Sequence, residues 1–146
     1  AALKAAETGH LVLSTLHTLD ATETVNRILE FFPEGKQHQV RLLLAGTLQG
    51  IISQRLLLKA DGIGRVPAVE VLVHTERAAD RILKPEQTHE LVDVIAEGEY
   101  YGMQTFDQSI LRLYQEGVVT FQEAMIHATH PADFKLRVEQ MGLLTA

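Results

Sequence analysis

Histidine is the residue type in this sequence whose number and spacing most suggest chemistry, with seven in 146 residues. An imidazole can bind a metal, transfer a proton or donate to a phosphate oxygen. His10 and His17 are seven residues apart on a predicted strand, so they point to opposite faces and cannot share a metal. His127 and His130 are three apart, but Pro131 disfavours a helical His130. The spacing therefore predicts no metal site.

His17 differs from the other histidines in its position. It stands at the C-terminal end of the predicted strand, directly before Thr18 and a helix start at Asp20. In open α/β sheets, ligands bind at the edge where the strands end. An imidazole there can donate to a phosphate oxygen. Spacing alone also allows a loop or core histidine whose ring is satisfied by backbone groups.

Several other kinds of site are excluded or disfavoured by the sequence. No Gly-x-x-x-x-Gly-Lys-Ser/Thr phosphate loop occurs, and the absence of cysteine excludes disulfides and thiolate metal sites. Ser14 and Ser53 have no His/Asp arrangement of a nucleophile triad. Gly62 and Gly64 are typical of a hairpin turn, with a phosphate-binding loop as the alternative. Three further histidines are expected at surface or half-buried positions: His38, His74 and His89.

Composition describes an ordinary acidic globular chain. It has 13 Lys and Arg against 19 Asp and Glu, giving a net charge of −6, with 46% hydrophobic residues. The negative charge disfavours a nucleic-acid partner. No run of about 18 apolar residues and no signal peptide is found, so we expect no direct membrane insertion and a cytoplasmic location. The start at Ala1, in uncapped helix-forming residues without Met, suggests a chain entered within a helix of a longer parent.

Hydrophobic periodicity predicts the elements that position these residues. A first helix ends at Gly9, and residues 10–18 predict a short buried strand. Asp20 and Glu23 form a capping-box pattern before an amphipathic helix. A long helix is predicted over 36–53, followed by a hairpin with strands at 55–59 and 66–73. The remaining chain predicts helices at about 76–83, 85–97, 105–116, 120–128 and 131–140, with Thr105 and Thr120 as the N-caps of the third and fourth.

Four ordered segments resemble one family along essentially the whole chain. Residues 5–18, Ala-Ala-Glu-Thr-Gly-His-Leu-Val-Leu-Ser-Thr-Leu-His-Thr, are similar to the His box of secretion-superfamily ATPases, the RecA-like hexameric motors of type II secretion and type IV pili. Residues 53–56 and 64–72 are similar to the segments that follow it. Residues 102–107, Gly-Met-Gln-Thr-Phe-Asp, resemble a C-terminal signature of the pilus-retraction (PilT-like) branch.

Two further features bear on the branch. Assembly-type relatives usually carry a tetracysteine zinc insert in the hairpin, whereas this chain has no cysteine and a short turn at residues 60–64. The retraction branch often has an Ala-Ile-Arg-Asn-Leu-Ile-Arg-Glu helix after the hairpin. Residues 76–84 are a degenerate version of it, which departs from the retraction pattern. The resemblance favours the PilT-like branch or a divergent relative.

The resemblance implies a fold, a parent protein and its partners. The fold class is helix-rich α/β, with residues 1–74 as the C-terminal portion of a RecA-like ATPase core and residues 75–146 as a helical C-terminal subdomain. The parent would be a hexamer that uses ATP and Mg²⁺ for pilus retraction. It would lie peripherally at the cytoplasmic face of the inner membrane, against a platform protein of the pilus machinery. The Walker motifs of the family precede the His box, so the chain alone is expected to be inactive.

The resemblance also assigns the site residues. His17 is the expected catalytic residue and sensor near the γ-phosphate, while Thr15 and Thr18 support the nucleotide site. His10 belongs to the same segment and is expected to shape the other face of the strand. Two alternatives stay open: a type II secretion or pilus-assembly ATPase, and a non-catalytic helical interaction module with a hairpin. A phosphate-binding loop upstream in the gene would exclude the latter.

Overall fold

The computed structural model describes residues 1–144, which form a helix-rich chain with one two-stranded sheet. The first half contains α1 (Ala2–Glu7), α2 (Ala21–Glu30), α3 (Glu34–Thr47), β1 (Gly50–Leu58) and β2 (Arg65–Val73). The second half contains α4 (Glu76–Leu83), α5 (Leu91–Ala96), α6 (Phe106–Gln115), α7 (Phe121–His127) and α8 (Pro131–Gln140), with short 3₁₀ helices at Pro85–Glu90 and Glu99–Tyr101.

The chain divides into two compact units. The first unit comprises Ala1–Ser53 and Val71–Met103, and the second comprises Gln54–Glu70 and Gln104–Ala146. Both units therefore take residues from the hairpin. The division differs from the expected boundary between residues 74 and 75. The expected boundary marks where an ATPase core ends and a helical subdomain begins. Contacts within this chain do not test the extent of such a core, so the boundary stays a prediction.

The first unit is held together by apolar residues from α2 to α5 and the adjoining strand ends. α2 buries one side of its helix, including Ala21, Val25 and Leu29, while its other side carries charged residues. Val40 and Leu44 of α3 are buried, as their helical spacing predicts. The buried core of this unit consists of Ala21, Val25, Leu29, Val40, Leu44, Ala45, Ile51, Leu72, Ala78, Ile82, Leu91, Val94, Ile95 and Met103.

The hairpin is confirmed, but its first strand starts earlier than predicted. The expected helix over 36–53 ends at Thr47, and β1 begins at Gly50. Two glycines, Gly46 and Gly50, weaken a helix there, and the β-branched pair Ile51 and Ile52 favours a strand. Ile51 is buried and Ile52 is 76% exposed, which is the alternation of a strand rather than a helical stripe.

The predicted buried strand at residues 10–18 is wrong, because these residues form no regular structure and are exposed or half-buried. Leu11 and Leu13 are 81% and 88% exposed. A strand needs a neighbour to satisfy its backbone groups. Within residues 1–144 the sheet contains only β1 and β2, which pair with each other. Apolar composition alone therefore does not make this segment a strand.

The second unit packs three helices against the turn-proximal part of the hairpin. Its core combines Leu57 and Ala68 of the strands with residues of α6 to α8. Thr105 and Thr120 cap α6 and α7 through side-chain oxygens that accept from the backbone N–H three residues on. The buried residues are Leu57, Ala68, Phe106, Ile110, Leu111, Val119, Ala124, Phe134 and Val138.

Two glycines shape the loop between α5 and the Gly-Met-Gln-Thr-Phe-Asp segment for different reasons. Gly102 has φ 82°, in the left-handed region that favours glycine. Gly98 has an ordinary φ but no room for a side chain. A Cβ there would lie 2.7 Å from the Met103 sulfur and 2.9 Å from the Val94 carbonyl oxygen. Gly98 is therefore required by close packing.

Candidate functional site

The candidate site lies at the N-terminus of α2, where a carboxylate cap fixes the chain. Asp20 has extended φ and ψ angles, and its Oδ1 accepts from the Glu23 backbone N–H at 2.8 Å. The Glu23 carboxylate accepts from the Leu19 N–H at 2.6 Å. This is the predicted capping-box pattern, except that the Glu23 carboxylate accepts from the N–H of Leu19 instead of the N–H of the N-cap residue Asp20. It fixes the three residues that follow His17.

A pair of threonines adds a second attachment at the same place. The Thr18 and Thr24 hydroxyl oxygens are 2.6 Å apart. The Thr24 hydroxyl also donates to the Asp20 carbonyl oxygen at 2.7 Å. Thr24 is 8% exposed on the buried side of α2, so this attachment connects the loop to the packed helix. The chain from Thr18 onward is therefore well defined.

The other predicted site residues have few contacts. His17 and Thr15 are exposed, and no hydrogen bond is formed by any of residues 11–17 within the described chain. His10 is also exposed, and its Nδ1 lies 3.1 Å from the Thr8 hydroxyl. The structure thus brings His17 and Thr18 to the start of α2. It shows no hydrogen bond that joins His10 or Thr15 to them.

The electrostatics of this site disfavour a further anion at the N-terminus of α2. The N-terminus of a helix carries partial positive charge that favours anions. Here the Asp20 and Glu23 carboxylates already occupy that position and oppose a further anion. The exposed His17 side chain differs from these carboxylates because an imidazole ring can donate a hydrogen bond.

A mainly apolar groove of about 870 Å³ lies elsewhere in the first unit. Helix α1, His10 and Leu11–Leu13 form one side of its lining, and the ends of α3 and of the strands form the other. His17, Thr15 and Thr18 do not line it. Because its lining is dominated by aliphatic and backbone groups, the groove suits apolar packing better than phosphate binding.

The described residues supply no metal centre and no membrane span. No three His, Asp or Glu side chains in residues 1–144 come together as a metal ion would require. In the same part of the chain, every helix falls short of the length and apolar character that crossing a bilayer needs.

Charged residues of the first unit stabilise the helices that follow the hairpin. Arg41 is 8% exposed, and its guanidinium donates to the Ile82 carbonyl oxygen and the Thr88 hydroxyl at 2.8 and 2.9 Å. Burial lowers the pKa of Arg41, and the charge of Glu86 opposes that change. The hydrogen bond from Lys84, with the charges of Lys84 and Arg81, lowers the pKa of Asp80.

Residues of the Gly-Met-Gln-Thr-Phe-Asp segment form contacts that stabilise the second unit. Gln104 donates to the Val69 carbonyl oxygen at 2.8 Å, and Phe106 lies under the Arg55 guanidinium at 3.9 Å from its ring centre. The Asp107 carboxylate accepts from the Thr129 and His130 backbone N–H groups at 2.6 and 3.1 Å. Gln104, just before α6, is thereby connected to β2, and α6 itself is connected to β1 and to the loop between α7 and α8.

A family model described as type II/IV secretion system protein matches residues 1–78, more than half of the chain. This match includes the segment around His17 and the complete hairpin. The chain belongs to that family. The match contains three of the four segments from which the resemblance was drawn, and the resemblance to this family is confirmed.

Individual members of the secretion family match over different lengths. The type IV pilus ATPase PilU of Pseudomonas aeruginosa is 42% identical over 134 residues, 92% of this chain and 35% of that protein. A crystal structure of the pilus retraction motor PilT with bound ADP is 42% identical, covers 92% of this chain and 37% of that one, and has a TM-score of 0.74. The type IV pilus assembly ATPase PilB of Myxococcus xanthus is 44% identical over 69 residues, 47% of this chain and 11% of that protein.

The likeness to the PilT structure confirms the helix-rich α/β fold class. The chain spans about a third of the length of PilU and PilT.

Sequence reasoning did not find Thr24, whose hydroxyl contacts Thr18, or Arg41, whose guanidinium is buried. Thr24 lies four residues after Asp20, the spacing at which a helical hydroxyl reaches back to a carbonyl oxygen, so its bond to Asp20 had a recognisable signal. Arg41 had none, because its partners are 41 and 47 residues away in sequence.

Proposed function

We propose that this chain is the C-terminal part of a motor ATPase that couples ATP hydrolysis to type IV pilus retraction. One observation carries the proposal: the likeness to the pilus retraction motor PilT covers 92% of the chain, well beyond the 78 residues matched by the general family model. The shared sequence therefore continues into the helices after α4. These helices are proposed to transmit motion between subunits.

A pilus-assembly or type II secretion motor is the second candidate. The likeness to the assembly ATPase PilB supports it, but this likeness covers 47% of the chain, whereas that to the retraction motor PilT covers 92%. The short turn at residues 60–64 and the lack of cysteine also favour retraction. The third possibility, a non-catalytic helical module, predicts that the gene encodes no phosphate-binding loop before residue 1.

In the proposed motor, His17 contacts the γ-phosphate and senses its presence. Its exposure and its place before the α2 N-terminus support this role. Thr15 and Thr18 are proposed to support the nucleotide site. His10, which lines the apolar groove, is proposed to shape the segment that carries the site without contacting the nucleotide. The phosphate-binding and Mg²⁺-binding groups are proposed to precede residue 1.

The assembly and location of the motor are also proposals. By resemblance, it works as a hexamer at the cytoplasmic face of the inner membrane, bound to a platform protein of the pilus machinery. The net charge of −6 supports protein rather than nucleic-acid partners.

The experiment compares full-length wild-type protein with His17→Ala and, as a control, His10→Ala. Loss of a contact made mainly to the transferring phosphate should lower kcat by about 100-fold while ADP affinity changes little. His10→Ala should keep most of the turnover. Mg²⁺-dependent ATPase rates and ADP titrations measure both. Full activity in His17→Ala would contradict the sensor role, and no nucleotide binding by the wild type would contradict the motor itself.

Whether the motor retracts or assembles the pilus is tested in cells. The full-length gene should restore twitching to a strain that lacks its own retraction ATPase. Restored piliation in a strain without its assembly ATPase would instead support the second candidate.

A further inference from the structure

The two threonine hydroxyls at the start of α2 form a directed chain of hydrogen bonds. The Thr24 hydroxyl donates its single hydrogen to the Asp20 carbonyl oxygen at 2.7 Å. It therefore acts as the acceptor in its 2.6 Å contact with Thr18, and Thr18 is the donor. The order is Thr18 to Thr24 to Asp20, so both hydroxyl hydrogens are used within the protein.

Thr24 is the buried end of this chain. It is 8% exposed and lies beside Val25, which is completely buried in the core of the first unit. Its position is therefore set by the packing of α2. On the other side of the contact, residues 11–17 form no hydrogen bond within the described structure. Thr18 is the first residue after this exposed segment that forms a hydrogen bond with α2.

We propose that Thr24 is a positioning residue for the nucleotide site, because its hydroxyl holds Thr18 and with it the adjacent His17 imidazole at the N-terminus of α2. This inference rests on the proposed function, since it assigns to Thr24 the placement of the γ-phosphate sensor. Glu23 assists by accepting from the Leu19 N–H at 2.6 Å. Thr24 does not contact the nucleotide and acts through Thr18.

The direction of the bonds also defines what Thr18 does. With its hydrogen given to Thr24, the Thr18 oxygen presents only lone pairs to its surroundings. It accepts a hydrogen bond from a water molecule or an N–H group and does not donate to a phosphate oxygen. The phosphate contact in this segment is thus left to His17, and Thr18 serves to hold the chain.

The test uses full-length protein with four substitutions. Thr24→Val removes the hydroxyl at nearly constant shape, and Thr24→Ser restores it. Thr18→Val removes the other partner, on the less buried side of the contact. Thr22→Val is the matched control, because it makes the same chemical change on the same helix at a half-buried side chain without a hydrogen bond in the structure. Each variant is measured for kcat, KM for ATP and melting temperature.

A misplaced sensor should lower kcat roughly 10- to 100-fold in Thr24→Val and Thr18→Val, while KM changes less than about threefold. Thr24→Ser should recover most of kcat, and Thr22→Val should retain it. A purely structural role would instead lower the melting temperature without this split between kcat and KM. Amide hydrogen exchange at Leu19 should also speed up at least about tenfold in Thr24→Val.

The outcomes separate this inference from the proposed function. Wild-type kcat in Thr18→Val would overturn the inference, and this variant decides if Thr24→Val does not fold. If His17→Ala loses activity and both threonine variants keep it, the sensor role stands and the positioning role is wrong. If His17→Ala keeps full activity, that result by itself shows that the sensor role is wrong. Faster exchange at Leu19 in Thr24→Val without a change in kcat would also refute the positioning role.

Discussion

Replacing Arg41 with methionine should destabilise the first unit far more than the same change at a surface arginine. Methionine keeps an apolar stem of similar length and removes the guanidinium. The guanidinium forms two hydrogen bonds of 2.8 and 2.9 Å, to the Ile82 carbonyl oxygen and the Thr88 hydroxyl. Ile82 is in the last turn of α4, where carbonyl oxygens have no partner within the helix.

The magnitude follows from opposing contributions. A hydrogen bond that involves a charged group stabilises a protein by about 1.5–3 kcal/mol, so two give roughly 3–6 kcal/mol. The desolvation that lowers the Arg41 pKa opposes this gain. Methionine recovers part of the cost by burying an apolar side chain. We therefore expect Arg41→Met to lower the free energy of unfolding by about 2–4 kcal/mol.

Urea unfolding followed by circular dichroism measures the change, with Arg27→Met as the control. Arg27 forms a 2.8 Å ion pair with Glu30, but both side chains are more than half exposed, so its loss should cost at most about 1 kcal/mol. The Arg41→Met midpoint should fall by about 1–2 M urea. Equal, small shifts for both variants would refute the reasoning, because they would mean that the buried guanidinium contributes no more than a surface one.

Three further predictions concern activity, association and pH. The 146-residue chain should not hydrolyse ATP, because it has no phosphate-binding loop; Mg²⁺-dependent turnover above a mock preparation would contradict this. It should self-associate through its exposed apolar residues, and Leu11→Ser with Leu13→Ser should shift sedimentation toward monomer. A clean monomer at high concentration would count against that. Because the Asp80 pKa is lowered on folding by Lys84, its ionised form stabilises the protein above about pH 4 and this stabilisation disappears as the pH falls further. Thermal melts from pH 7 to 3 should show Asp80→Asn less stable than wild type at neutral pH, with the difference closing in acid; a pH-independent difference would be inconsistent.

Local signals predicted most of the elements. Asp20, Thr105 and Thr120 announce helix starts, because a short polar side chain can satisfy free backbone N–H groups, and the structure confirms all three caps. Gly62 and Gly64 announce the hairpin turn and have φ of 72° and 78°. These signals are reliable because the residue and its partner are close in sequence.

Elements that depend on distant partners were not predicted. The apolar run at residues 10–18 is compatible with a strand, but a strand exists only with a neighbour, which a local pattern cannot report. Ile51 and Ile52 fit a helical stripe and a strand equally well until pairing with β2 decides between them. At the candidate site, the position of His17 before a helix start was readable, whereas the contact between Thr18 and Thr24 required the fold.

The absence of space for a side chain at Gly98 limits which residues this loop can accept. A Cβ at position 98 meets both a side chain, Met103, and a backbone carbonyl that cannot turn away. In a saturation mutagenesis library, substitutions of Gly98 should therefore be depleted more strongly than substitutions of Gly102. Gly102 has open space around it and should accept asparagine. A shorter residue at position 103 would remove the contact with the Met103 sulfur but would leave the contact with the Val94 carbonyl oxygen, so it should not restore a variant at position 98. The requirement for glycine at position 98 is therefore set by the backbone of α5 and is independent of the residue chosen at position 103.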